Sequence, residues 1–500
     1  MIDTPFSAAR RGGAAGASAI RQFLEARRWV ATGPPSQQQH PGRPLLAFEE
    51  IYCDATGALS SDAGANGGPL GGASATDHHP RPFTAVFLHG LLGSSRNWRT
   101  YCRGLAQAAA LEHGRPYRLI LADLRAHGRT ALANAAAAEA AASSSSAAGA
   151  GAPPPPAFGP PHTLAAAAAD VRALLASHPA LAGRGPDALV GLSLGGKVAL
   201  EVVRQQQQQR QGQQQQHAGQ ERRGEGGGAA AEGTTHRAAG QAGGVGSAAR
   251  SRPAAAPAPT NPPPPPPLGP SADAAARAMP RQVWVLDSQP GVVEREGDGA
   301  TSVGRIMRLL RGVPQPLPSR QALYDLLARE QIPHAVAQWL GGALQHQPAG
   351  GSGGGGGGSG DGASSPSPPP PTPSRQQQQQ QQQQRLVWEF DVPACAELYR
   401  SYRAADLWSV MERPPAGVAV HLIRGERSDR WDAPGALERV GQAEQRWREA
   451  AAAAAAAAQG GGGGGGGVGE LRVHVLEKAT HWLQASNPKG LTSMLVPHFK

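Results

Sequence analysis

Runs of a single residue type cut this 500-residue chain into pieces, and they limit what it can fold into more than any other feature. Prolines fill 262–267, glycines 353–358 and 460–467, glutamines 205–209 and 376–384, and alanines 450–458. Such tracts bury little apolar surface and do not offset the entropy lost on ordering. They read as flexible insertions near 55–80, 132–160, 205–280, 347–384 and 449–469. What remains is roughly 280 residues of ordinary complexity, the size of one large α/β domain. The expected organisation is a single interrupted domain over 45–500 behind a leader of 1–44.

The formal charge of +10 is partly carried by arginines at 222, 223, 237, 250 and 252, inside the low-complexity middle. No Lys/Arg run is interleaved with aromatics, and no zinc-finger or RNA-binding signature is present, which argues against a nucleic-acid partner. The cysteines, Cys53, Cys102 and Cys395, are far apart and form no C-x-x-C, so neither a disulfide framework nor a zinc site is indicated. No stretch approaches the ~18 apolar residues of a membrane span. The leader is rich in Arg and Ala and reads equally as an organelle transit peptide or a biased tail. The expected location is intracellular: chloroplast or mitochondrion in the first case, cytoplasm in the second.

Along the ordinary-complexity parts, apolar strands alternate with helical patterns. Strands are expected at 45–54, 83–90, 117–128, 187–191, 282–291, 417–429 and 470–482. Several are wholly apolar, the pattern of a mainly parallel sheet covered by helices on both faces. Residues 301–345 and 386–412 read as mainly helical and form a candidate lid. In such sheets functional groups gather at the carboxyl ends of the strands. His89, Asp123, Ser193, Asp287, Asp429 and His481 all fall there.

Gly191-Leu192-Ser193-Leu194-Gly195 fits G-x-S-x-G between a strand and a helix. This turn is so tight that the serine takes strained backbone angles and its neighbours have little room for side chains. It lifts the hydroxyl above the sheet, where the start of the helix offers N–H groups to developing negative charge. A serine hydroxyl needs a base, and the chain order Ser, acid, His points to a histidine after the last strand. His481 occupies that place, whereas His474 lies within the strand itself. The N–H groups of Leu91, in the loop after an early strand, and of Leu194 are the expected oxyanion donors. His89 reads as a loop-shaping residue and Lys197 as an ion-pairing one.

"HGLLGSSRNW", "LADLRAHGRT", "GLSLGGKVAL", "VLDSQPG" and "ATHWLQASNP" resemble successive motifs of the α/β-hydrolase superfamily. They are most similar to the small serine esterase/thioesterase group of α/β-hydrolase domain-containing protein 11 and its plant and bacterial relatives. The resemblance spans nearly all the ordinary-complexity sequence, and its most specific parts are the G-G-K after the serine and the H-W pair. It departs at Leu192, where the group carries His, at Ala126, where Gly or Asn is frequent, and at "KATHW", where the group has "AGHW". It implies an α/β-hydrolase fold with a helical lid and hydrolysis of a small acyl ester or thioester by Ser193 and His481. No metal or organic cofactor is implied, and Arg125 and His127 would structure a loop. Two acids compete for the third role. Asp429 follows the penultimate strand, as in many members of the superfamily. Asp287 follows the strand before it, as in the small relatives, and is preferred.

Apolar lid residues (Ile306, Leu309, Leu310, Leu323, Leu326, Trp339) suit an apolar acyl chain, and equally suit plain core packing. Two rival readings share the fold. One is a non-catalytic binding or scaffold protein using its Gln- and Pro-rich insertions as protein-partner segments. The other is perhydrolysis or carbon–carbon cleavage on the same triad.

Overall fold

The computed structural model describes residues 45–60, 81–144, 158–181, 183–225, 279–294, 302–346, 385–459 and 468–500. Seven strands form the main sheet. In chain order they begin with β1 (Phe48–Cys53), β2 (Phe83–Leu88), β3 (Tyr117–Ala122), β4 (Ala188–Leu192) and β5 (Gln282–Leu286). A separate antiparallel pair follows, β6 (Leu344–His346) with β7 (Leu386–Trp388), before β8 (Ala419–Gly425) and β9 (Glu470–Leu476) complete the sheet. Its spatial order is β1-β3-β2-β4-β5-β8-β9. Only β1 runs antiparallel to its neighbour; the other pairings are parallel.

The inner strands are mostly apolar because both faces are covered. Successive side chains of a strand point to opposite faces. On β2, Val86 and Leu88 therefore enter one core with the helices Leu164–Ser177 and Leu194–Glu225. Ala85 and Phe87 enter the other, with the helix Arg96–His113. Each large side chain so buried stabilises the fold by about 1.5–3 kcal/mol. The lid has a core of its own, in which Ile306, Leu310, Leu323 and Leu327 pack on Leu386, Trp388 and Phe390. Its helices Val303–Gly312, Arg320–Arg329 and Val392–Ala404 each start at a side chain that accepts an orphan N–H: Ser302, Ser319 and Asp391. The lid is mainly helical as expected; the β6–β7 pair was not, because three-residue strands leave no period to read.

Composition misjudges three insertion boundaries. The helix Gly128–Ser144 runs into the stretch assigned to 132–160, and Phe158 from its far end is buried in the core. Leu194–Glu225 passes through the glutamines of 205–209, and Ala436–Gln459 contains the whole alanine run. Alanine and glutamine are good helix formers, so these repeats prolong a helix that tertiary packing has already nucleated. The first glutamines also pack: Arg172 donates to Gln205 and Gln209, and Gln205 donates to Ala165 O at 2.9 Å. Residues 61–80, 145–157, 226–278, 347–384 and 460–467 of the five assigned insertions, and the leader 1–44, lie outside the described residues. Among the described residues, no helix is long and apolar enough to cross a membrane.

At the sheet edge where the parallel strands begin, the C-terminal segment closes the core. Phe499 stacks on Phe83 with centroids 4.7 Å apart, and Tyr117 OH donates to its carbonyl. Beside it, Trp284 stacks on His421 at 3.8 Å, and His421 Nδ1 meets His474 Nε2 at 3.2 Å, with His498 edge-on at 4.8 Å. Burial, then the neighbouring His498, His474 and Arg472, push His421 down to about 2. In the unfolded chain the ring titrates near 6.5, so the unfolded state takes up the proton first. Stability is thus whole above that pH and falls as the pH drops toward the folded value. We expect urea midpoints to fall steadily from pH 6.5 to 4.5, with His421 contributing about 1.4 kcal/mol per pH unit. His421→Phe should remove one proton from that dependence; an unchanged slope would count against this assignment.

Candidate active site

Ser193 stands between β4 and the helix Leu194–Glu225 with φ +54°, a left-handed angle that non-glycine residues rarely take. Its N–H donates to Leu286 O at 2.9 Å, tying the elbow to β5. The flanking glycines are sterically required. A Cβ on Gly191 would lie 2.1 Å from Gly195 O, and one on Gly195 would lie 2.6 Å from Leu88 O. Gly191→Ala should therefore abolish soluble folded protein or lower Tm by more than 10 °C, which a thermal melt reads directly; a native melt would contradict the elbow geometry.

Asp287 follows β5, also at positive φ (+45°), and His481 follows β9. His481 Nδ1 and Asp287 Oδ2 are 2.7 Å apart. The carboxylate is fully buried and accepts three further bonds: Gly425 N–H at 2.9 Å and Trp431 Nε1–H at 2.9 Å on Oδ1, and Ser428 Oγ–H at 2.5 Å on Oδ2. Burial alone would raise its pKa, but the bonds from His481, Ser428 and Gly425 outweigh it and hold Asp287 below the usual carboxylate range. An ionised carboxylate only accepts, so Nδ1 of His481 carries the proton and Nε2 is left as the base. Burial, with Arg430 second, pushes His481 down to about 4 against the pull of Asp287.

Among the described residues, no hydrogen bond joins Ser193 to His481. Nε2 of His481 accepts instead from Arg430 Nε at 3.1 Å. The same nitrogen lies 2.7 Å from Nδ1, but that atom's proton is already given to Asp287.

The loop after β2 runs against the elbow: a Cβ on Gly90 would lie 3.5 Å from that of Ser193. Leu194 opens its helix, so its N–H has no acceptor within the helix. Leu91 follows Gly90 in the same loop, and Leu194 follows the serine directly. Imidazoles hold this loop. His89 donates from Nδ1 to Gly90 O and accepts Leu124 N–H at 3.0 Å, while His127 Nε2 accepts Leu92 N–H at 3.1 Å. Burial keeps both rings neutral, His127 down to about 3, so each can accept. Arg125 forks onto Asp170 at 2.5 and 2.9 Å, and Asp123 accepts Ser95 N–H at 2.6 Å; both are structural.

A serine at a strained elbow after β4, an acid after β5 and a histidine after β9 thus share one edge of a sheet ordered β1-β3-β2-β4-β5-β8-β9. The chain has the α/β-hydrolase fold. No family model matches it, and no curated protein matches it. Similar solved structures include a marine microorganism esterase, 13% identical, with a TM-score of 0.43, covering 91% of this chain and 99% of that one. An M. tuberculosis esterase is 13% identical with a TM-score of 0.38, covering 97% and 98%. A peroxisomal alpha-beta-hydrolase from Saccharomyces cerevisiae is 12% identical with a TM-score of 0.38, covering 91% and 89%.

On this α/β-hydrolase scaffold one expected role changes. Lys197 is fully buried and, among the described residues, lies within ion-pair distance of no carboxylate: Nζ donates to Gly291 O at 2.6 Å, Tyr402 O at 2.7 Å and Ala405 O at 3.1 Å. Those carbonyls belong to the two stalks of the lid, so the lysine cinches them together. Burial lowers its pKa to about 7. Asp429 is buried in the short turn Asp429–Trp431, while Asp287 is the carboxylate on His481. The apolar lid residues Ile306, Leu310 and Leu323 pack in the lid's own core. Ser428, Trp431 and Arg430 escape sequence reasoning, although they sit in the "RGERSDRW" loop that attracted notice for Asp429.

Proposed function

We propose that the protein hydrolyses carboxylic esters or thioesters, with Ser193 as nucleophile, His481 as base and Asp287 as the orienting acid. The observation that carries this is the Asp287–His481 hydrogen bond on the same sheet edge as a serine held at φ +54°. Ser193 Oγ bonds to the acyl carbon and gives its proton to His481 Nε2, while the carbonyl electron pair moves onto oxygen. Leu91 and Leu194 N–H groups stabilise that oxyanion. The intermediate collapses, the bond to the leaving group breaks, and the leaving alkoxide or thiolate takes the proton from His481. Water then loses a proton to His481 and attacks the acyl-serine, and the serine oxygen leaves with that proton. Asp287 stabilises each imidazolium without being protonated.

A fluorophosphonate probe tests the assignment. The wild-type protein should be labelled, with the adduct mapping to Ser193 by mass spectrometry, and should turn over acyl esters or thioesters of varied chain length. An unlabelled serine in a folded protein, with no turnover across that panel, would favour a non-catalytic role and sink the proposal.

A further inference from the structure

Arg430 is out of place for a hydrolytic site. Its guanidinium touches the imidazole nitrogen that must accept the serine's proton, and it is half-buried there. Several partly buried arginines are answered by carboxylates, Arg99 by Glu49, Arg125 by Asp170 and Arg439 by Glu412, and others by backbone carbonyls, as Arg184 is by Ala180 O. Arg430 is not. The carboxylate on the same ring, Asp287, has its four acceptor positions filled by Gly425, Trp431, Ser428 and His481, so none is left for the arginine. Among the described residues, Arg430 makes a single kind of side-chain bond, from Nε to the ring, and its two terminal nitrogens donate to nothing. Its backbone is pinned on both sides. Gln289 donates to its carbonyl, and the next residue, Trp431, is bonded to Asp287.

A guanidinium has five donors in a planar fork that matches a carboxylate, and a half-buried one with idle donors is poised for such a partner. Resting on Nε2, it also blocks the base. A carboxylate on the substrate would satisfy the idle donors, draw the fork off the ring and uncover the lone pair. A neutral substrate offers no such exchange. We propose that Arg430 determines specificity, selecting esters or thioesters that carry a carboxylate within a few atoms of the scissile bond. This rests on the hydrolase reading above and adds the substrate class.

The test compares three aryl esters on the full-length protein: phenyl butyrate, which is neutral; phenyl hemiglutarate, charged on the acyl side; and 3-carboxyphenyl butyrate, charged on the leaving-group side. Wild-type kcat/KM should favour at least one charged ester over the neutral one by about 10- to 100-fold, the worth of one hydrogen-bonded ion contact. Which charged ester wins tells on which side of the bond the carboxylate sits. Arg430→Met should erase that preference while raising kcat for the neutral ester, because the cap on Nε2 is gone. Arg430→Lys, which keeps the charge without the fork, should retain part of the preference and shows that loss in Met does not come from misfolding. Equal rates on all three esters in the wild type, or an equal fall on all three in Arg430→Met, would overturn the inference. Either result leaves hydrolysis by Ser193 standing, whereas absence of both turnover and probe labelling defeats the hydrolase reading itself.

Discussion

Ser193→Ala should lower ester turnover by ~10⁶, the loss that removal of the nucleophile causes in a serine protease, and should leave the fold intact. The hydroxyl makes none of the bonds that hold the elbow. Those come from the backbone N–H to Leu286 O and from the bare flanks at Gly191 and Gly195. Alanine at φ +54° is no worse placed than serine, so Tm should move by no more than a degree or two. Residual activity of about 10³- to 10⁴-fold over water is expected, because the Leu91 and Leu194 N–H groups remain. Retention of most activity in a pure sample would show that the reacting group lies elsewhere.

Asp287→Asn should reduce kcat by ~10⁴, because an amide can present a donor to Nδ1 and so favours the wrong imidazole tautomer. The structure adds a second cost. The carboxylate serves four donors, and the amide has one oxygen to replace two, so some of Gly425 N–H, Ser428 Oγ–H and Trp431 Nε1–H lose their acceptor. Each buried donor left unanswered costs about 1–3 kcal/mol, so this variant should also melt earlier. Asp429→Asn should change kcat little, since that carboxylate is not the one on His481. The comparison is read from initial rates and thermal melts of both variants. If Asp429→Asn is crippling and Asp287→Asn mild, the acid has been misassigned.

The parts of this architecture that were legible in the sequence are those with a local cause. Mostly apolar strands such as "FTAVFL" exist because both faces are covered, and the elbow is written in glycines because backbone passes within van der Waals distance of them. Choosing between Asp287 and Asp429 needed three dimensions, since both follow strands that end on the same edge. Lys197 was misread because its partners are carbonyl oxygens, which every residue possesses and no sequence pattern marks. The ring of donors around Asp287 was missed for a related reason: Gly425, Ser428 and Trp431 converge only because the loop after β8 folds back over the end of β5. Alanine and glutamine runs read as breaks by composition, although their intrinsic preference is helical.

Those two helices bear on how the gene can change. Leu194–Glu225 and Ala436–Gln459 each run back along the sheet, from the edge that carries Ser193 and His481 toward the opposite one. The alanine run comes late in its helix, and the first glutamine lies roughly 16 Å along the axis from Leu194 at 1.5 Å per residue. Tandem codons are prone to slippage when DNA is copied, and each gained or lost codon here lengthens or shortens a helix at its remote end. The serine is anchored at the near end and does not shift with the count. Alleles of different repeat length should thus share one kcat, because the fold directs copying errors away from its chemistry.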